Sequence, residues 1–248
     1  MLELLGAGMP RSDGGWLLHR ICARFDRSGL VVVVSSRAEE RKTLFDVIAA
    51  RAIATEGRVW VNGVPAMRAT TARIRHLVGD VELPPLLVPH RSIFWNVLAQ
   101  GTSRLFVLRP LQQFPSLARR EAAIRTLRLV DLDVRLGEPA STADPEIAMR
   151  VSLARTLLPG PRYVLIREPD QTLSGEALNR FLVRVAHLAR LEHLTLLVSI
   201  SSPDIARLEV ADRVLAVAEG LLIFDGAPAA FAGFERWSSR SAAARPLG

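Results

Sequence analysis

Three residue types are nearly missing from this 248-residue chain, which has one cysteine, one lysine and one tyrosine. The single cysteine, Cys22, excludes an internal disulfide and is typical of a protein from a reducing compartment. No stretch reaches the roughly 18 uninterrupted apolar residues that a membrane-spanning helix needs. The first 15 residues do not have the pattern of a secretory signal peptide. We therefore expect a cytoplasmic protein with no membrane span.

Aromatic residues are also scarce, at 6%, although the formal net charge is +7. Lys42 is the only lysine among the 32 basic residues, and coding bias explains the excess of arginine. The arginines alternate with acids, as on solvated helix faces, instead of clustering among aromatics. We predict no nucleic-acid partner. The alternative that a positive surface faces anionic lipid headgroups is left open by the sequence. The five histidines lack metal-ligand spacing, and we predict no metal site.

What the chain does have is an ordered series of apolar segments. Strand-like segments come first, helical segments follow in the middle, and the last part alternates strand and helix. This order predicts an α/β fold, a parallel-sheet core with N-terminal antiparallel strands and a helical insertion. We predict strands at 1–7, 16–25, 30–34, 74–78, 162–166, 194–200 and 213–218, hairpins at 57–66 and 220–226, and helices from 44 and at 92–100, 116–130, 146–158, 175–191 and 202–210.

These segments resemble, in the same order, the ATP-binding subunit of ABC transporters, and the phosphonate-importer branch most of all. The segments that carry the resemblance are "EGRVWVNG", "VPHRSIFWNVL", "RVSLARTLL", "YVLIREP" and "ADRVLAVAEGLLIFDGAPAAF". It covers roughly residues 1–230 and implies a P-loop NTPase-like, RecA-like core at 1–89 and 158–230. A helical subdomain is then expected at 90–157 and a polar tail at 231–248.

The segment "GLVVVVSSRAEERKTLFDVIAA", which starts at Gly29, has the outline of a phosphate-binding loop between a strand and a helix. In such loops, glycines let successive backbone N–H groups point at the phosphates, and a lysine and a Ser/Thr follow. The loop here contains no glycine. Glu39 and Glu40 would instead bring carboxylates towards the phosphates, which is unfavourable.

Two alignments of this loop are open. Counting forward from Gly29 places Lys42 at the lysine position and Thr43 at the magnesium-ligand position. Counting back from the apolar face of the following helix places Arg41 at the lysine position instead. We take Arg41, Lys42 and Thr43 as the remnant of a cofactor-binding loop.

The other motif positions that the resemblance implies have changed too. Only Glu168, at the position of the general base, keeps its residue type, and we take it as a catalytic remnant. Phosphoryl transfer depends on positioning and electrostatics, so these changes predict an inactive site. The altered positions are Arg11 (adenine-stacking aromatic), Gly79 or Asp80 (phosphate-sensing glutamine), Asp144 in "ADPEI" (signature serine), Arg167 (Walker B aspartate), Ser174 (dimer-contact aspartate) and Ile200 (switch histidine).

The sequence therefore predicts a pseudo-ATPase: a non-catalytic docking or regulatory subunit of a transporter-like complex. We expect no ATP or Mg²⁺ cofactor. The partners implied by the resemblance are a transmembrane permease subunit, a second ABC ATPase subunit, or both, at the cytoplasmic face of the inner membrane. A dimer with itself or with a paralogue is also open. Two alternatives stay open as well, a subunit that still binds or slowly hydrolyses ATP and a soluble scaffold with no role in transport.

Overall fold

The valine run after Gly29 forms the central part of the larger of two sheets. The computed structural model describes residues 1–81, 83–98, 115–201 and 208–231. In these ranges the strands are β1 Leu2–Pro10, β2 Trp16–Phe25, β3 Gly29–Val34, β4 Glu56–Val61, β5 Val64–Pro65, β6 Val78–Val81, β7 Tyr163–Arg167, β8 Thr195–Ile200, β9 Arg213–Ala218 and β10 Leu221–Gly226. The α-helices are α1 Ala38–Ile48, α2 Thr71–Leu77, α3 Ile93–Leu98, α4 Leu117–Leu129, α5 Pro145–Leu157 and α6 Gly175–Leu191.

The larger sheet has the strand order β10-β9-β3-β8-β7-β6. Its strands run parallel except β10, which is antiparallel to β9. All six residues of β3 are buried, as expected for a parallel strand covered on both faces. Val34 pairs with Ile200 and Arg167 pairs with Ser199, so β3, β7 and β8 end at the same edge. Ligands bind at this carboxyl edge in open α/β sheets.

The smaller sheet is antiparallel, in the order β2-β1-β4-β5. One core lies between the two sheets and includes the apolar face of α1. A second core lies on the other face of the larger sheet, under residues of α3, α4, α5 and α6. The predicted α/β architecture, with a parallel core and antiparallel N-terminal strands, is confirmed.

Two predicted elements were wrong. Helix α1 begins at Ala38, six residues before the predicted start at 44. Its first turn is charged, and Glu39 and Glu40 are favourable at a helix N-terminus. The segment 74–78, predicted as a strand, lies mostly in α2, and β6 starts only at Val78.

Other predictions fall partly outside the described residues. Residues 202–207 of the predicted helix at 202–210, and the polar tail except residue 231, lie there. Helices α3, α4 and α5 contact one another, but the division into a core and an insertion at 90–157 stays a prediction. Among the described helices, none is long and apolar enough to span a membrane.

Candidate functional site

The loop between β3 and α1 is only three residues long, from 35 to 37, because α1 begins at Ala38. A phosphate-binding nest needs a residue in the left-handed conformation between right-handed neighbours. Among the described residues, none from 35 to 43 has a positive φ. The backbone from 35 to 43 therefore lacks the alternation of right- and left-handed residues found in such nests.

Arg41, on the first turns of α1, points into the carboxyl edge of the sheet and binds Glu168. Its Nε and Nη2 lie 2.8 and 2.6 Å from Glu168 Oε1, and its Nη1 also donates to the Ser35 carbonyl. The Arg41 side chain is only 3% exposed and that of Glu168 21%. A second donor, Gln171 Nε2, contacts Glu168 Oε2. The carboxylate of Glu168 is therefore already paired on both oxygens.

Glu168 is held in this place by the backbone after β7. Its φ is +50°, which is rare for a residue with a side chain. Its N–H donates to the Ser199 carbonyl at 3.0 Å and to Ser199 Oγ at 3.2 Å. The neighbouring strand β8 thus fixes the strained turn and, with it, the direction of the carboxylate.

Lys42 and its neighbours face away from this pair. The Lys42 side chain is 76% exposed, and its Nζ lies 3.9 Å from Asp46. Thr43 is half-buried. Of the two alternative alignments, the structure thus places Arg41, and not Lys42, beside Glu168.

The two glutamates in the first turn of α1, Glu39 and Glu40, both have partners of their own. Glu40 is buried, where it accepts from Ser35 Oγ at 2.6 Å and from the Gly220 N–H at 3.0 Å. Glu39 is exposed and lies 3.7 Å from Arg11. The predicted repulsion between these carboxylates and phosphate is therefore not the main obstacle to phosphate binding at this site.

A second charge cluster surrounds Arg167 at the end of β7. Its Nη2 lies 2.8 Å from Asp80 on β6 and 2.9 Å from Asp46 on α1, and its Nε also binds Asp80. Burial alone would lower the pKa of Arg167, but hydrogen bonds and charge attraction from Asp80 and Asp46 raise it above the usual value. The Arg167 guanidinium also lies over the Phe45 ring, 5.6 Å from the ring centroid. A second arginine, Arg51, contacts the same Asp80 carboxylate, with its Nη2 at 3.0 Å from Oδ2.

The remaining predicted positions have structural roles of their own. Asp144 is the N-cap of α5 and accepts from the Ile147 N–H at 2.8 Å, with Pro145 at the first helical position. Ser174 is the N-cap of α6 without a side-chain hydrogen bond. Ile200 is buried at the end of β8, and Gly79 lies next to Asp80 within β6.

The sequence-predicted residues thus fall into separate groups. Arg41 lies with Glu168, and Arg167 lies with Asp80. Arg11 lies apart from both pairs, directly after β1, and its Nε is 3.0 Å from Asp13 Oδ1. Sequence reasoning missed Asp46, Arg51 and Gln171, which complete the two charge clusters. The i,i+4 spacing of Lys42 and Asp46 could have drawn attention to Asp46, but nothing in the sequence points to Arg51.

The acidic side chains at this edge of the sheet are paired with arginines. Mg²⁺ needs available oxygen ligands, and the carboxylates of Asp46 and Asp80 are bound to arginines. A guanidinium at position 167 would repel the ion. A general base needs a free carboxylate, and Glu168 is paired with Arg41. The site is electrostatically satisfied by its own side chains.

Comparisons with known proteins find relatives of low sequence identity that span most of the chain. No model of a known protein family matches it. It is 24% identical over 230 residues to the phosphonates import ATP-binding protein PhnC 1 of Trichodesmium erythraeum (strain IMS101), covering 92% of this chain and 90% of that protein. It is 26% identical over 217 residues to the glutamine transport ATP-binding protein GlnQ of Bacillus subtilis (strain 168), covering 87% of this chain and 86% of that protein.

A solved structure gives the same assignment for the fold. The structure of cbiO1 from Clostridium perfringens, part of the ABC transporter complex cbiONQ, matches with a TM-score of 0.80 and 17% identity. The match covers 99% of this chain and 95% of that one. At this identity the likeness concerns the fold, which is therefore that of an ATP-binding cassette.

Proposed function

Since this chain is a homologue of the ATP-binding subunits of ABC transporters, with the phosphonate importers among its relatives, we propose that it is a pseudo-ATPase. In this proposal it is a non-catalytic subunit of a transporter-like complex, in which the cassette fold serves for docking or regulation. The observation that carries the proposal is the ion pair between Arg41 and Glu168, with N–O distances of 2.6 and 2.8 Å.

The pair supports the proposal because it engages both the cation and the carboxylate that an active site would need. A cassette ATPase uses the cation after its phosphate loop to hold phosphate, and a carboxylate at the end of the Walker B strand to orient the attacking water. Here the cation and the carboxylate bind each other, at side-chain exposures of 3% and 21%. Neither is available to a substrate without breaking a largely buried, charge-assisted contact.

The cluster around Arg167 supports the same conclusion independently. In the family the metal is bound with the help of an aspartate at this position. Arg167 instead bridges Asp80 and Asp46 at 2.8 and 2.9 Å. The reversal of charge at β7 is matched by acids on both neighbouring elements, so the cluster is a stable replacement for a metal site.

The partners in this proposal come from the relatives. The resemblance implies a transmembrane permease subunit and a dimer, and the structural neighbour cbiO1 is part of the ABC transporter complex cbiONQ. We propose the same kind of assembly for this chain, at the cytoplasmic face of a membrane, with itself or a second ATPase subunit. Since relatives include both phosphonate and glutamine transporters, the solute is left unassigned.

ATP hydrolysis tests the catalytic part of the proposal. We expect the purified full chain to release phosphate from Mg-ATP no faster than the background, with and without Glu168→Gln. Hydrolysis above background that falls in Glu168→Gln would show that Glu168 still acts as a base and would refute the proposal. Glu176→Gln, on the exposed first turn of α6, is the matched control for a lost glutamate.

Affinity purification from detergent-solubilised membranes tests the transport part. We expect an integral membrane subunit to co-purify with the tagged full chain. Recovery of soluble partners alone would favour a scaffold with no role in transport. This result would leave the inactive site standing, so the two parts of the proposal fail separately.

A further inference from the structure

An open polar pocket lies between the end of α1 and the start of α2, and neither Arg41 nor Glu168 lines it. Its volume is about 430 Å³, within the range of small-molecule sites. It is lined by Ala50, Arg51, Ile53, Arg68, Thr71 and Arg75.

Three arginines from three different segments line this pocket. Arg51 follows α1, Arg68 is in a short 3-10 helix, and Arg75 is in α2. Three like charges around one cavity repel one another, and a bound anion would relieve that repulsion. Such a convergence of donors with no acid lining the cavity favours an anionic ligand.

Two of these arginines have no partner of their own. Within the described part of the chain, Arg68 and Arg75 form no ion pair, as is also the case for some other exposed arginines, whereas Arg41, Arg167 and Arg213 do. Their donors are therefore available to a ligand.

Arg51 differs because one of its nitrogens is already fixed. Its Nη2 lies 3.0 Å from Asp80 Oδ2, on strand β6. A guanidinium has five N–H donors, so this contact leaves others for the pocket. Asp80 thus orients Arg51 at the pocket without using up its hydrogen-bonding capacity.

From this geometry we propose that the pocket binds a small organic phosphate. Arginine binds phosphate oxygens in a bidentate manner, which suits the three guanidinium groups. Ala50 and Ile53 also line the pocket, and Ile53 is the larger apolar residue beside which the organic portion would lie. This proposal does not depend on the proposed function, since none of the pocket residues belongs to the Arg41–Glu168 pair, although Arg51 also contacts Asp80 of the Arg167 cluster.

Calorimetric titration of the full chain with inorganic pyrophosphate tests the proposal, with acetate at equal ionic strength as the control anion. We expect one saturable site for pyrophosphate and none for acetate. Arg75→Gln should weaken binding by about tenfold or more, because it removes charge-assisted bonds. Arg73→Gln is the matched control, since Arg73 is an exposed arginine of the same helix that does not line the pocket.

The Arg73→Gln variant should bind within about twofold of the unaltered chain, since only general electrostatics change. Absence of saturable pyrophosphate binding would overturn the proposal. An equal loss of affinity in Arg73→Gln and Arg75→Gln would overturn it as well, because it would mean non-specific attraction to a basic surface. Thermal denaturation with and without pyrophosphate gives a second measurement, since a ligand specific to the folded state raises Tm.

Discussion

Arg41 and Glu168 are 127 residues apart in the sequence and form a largely buried ion pair, with Arg41 Nη2 2.6 Å from Glu168 Oε1. Breaking such a pair from one side leaves a buried charge without compensation. We expect Glu168→Ala to lower the free energy of unfolding by about 3 kcal/mol, at the low end for a buried pair because Glu168 is partly exposed. Urea unfolding monitored by circular dichroism measures this change.

Glu176→Ala is the control for Glu168→Ala, because the Glu176 side chain is 95% exposed and its pair with Arg180 is 3.6 Å long. We expect no measurable loss of stability in that variant. Adding Arg41→Met to Glu168→Ala should restore most of the lost stability, since it removes the uncompensated charge. If the double variant were less stable than Glu168→Ala alone, the pair would not be the source of the effect.

Asp144 should contribute to stability as a helix cap. Its carboxylate accepts from the Ile147 N–H at 2.8 Å at the start of α5. We predict that Asp144→Ala lowers the free energy of unfolding by about 1 kcal/mol. Ser174→Ala, at the N-cap of α6 without a side-chain hydrogen bond, should change it by less than about 0.5 kcal/mol. Equal losses in the two variants would contradict the capping role of Asp144.

Tyr163 offers a pH-dependent test of the core, because it is the only tyrosine in the chain. Burial raises the pKa of Tyr163 above its ordinary value of 10.0. The folded state therefore keeps the phenol proton at a pH where the unfolded chain has lost it, and stability should fall as the pH rises through about 10. The tyrosinate absorbance should titrate above pH 10 in the folded protein and near it in denaturant. A midpoint at the ordinary value in both would contradict the burial of β7.

The sequence was sufficient for most of the fold. The buried run of β3 and the helical period of α6 are each encoded locally, and the structure has both near the predicted bounds. The start of α1 was missed because Glu40 and Arg41 are charged but buried, so the apolar period begins late. The segment 74–78 was misread because its short apolar run belongs partly to a helix and partly to a strand.

Only part of the candidate site could be predicted from the sequence. The resemblance named Arg41, Glu168, Arg167 and Asp80 one by one, but their pairing depends on which strands are neighbours. Strand β6 lies beside β7, although 81 residues separate the two in the sequence. The choice between Arg41 and Lys42 depends on the orientation of α1, which sequence periodicity alone did not settle.

Calorimetric titration with Mg-ATP tests the central claim, an inactive nucleotide site, most directly. It should be done on the unaltered chain and on Arg41→Ala, Lys42→Ala and Arg75→Gln. We predict that the unaltered chain has no saturable Mg-ATP site that depends on Arg41 or Lys42. Binding that Arg75→Gln alone weakens would report the arginine-lined pocket instead. Micromolar binding that is lost in Arg41→Ala or Lys42→Ala and kept in Arg75→Gln would contradict the pseudo-ATPase account.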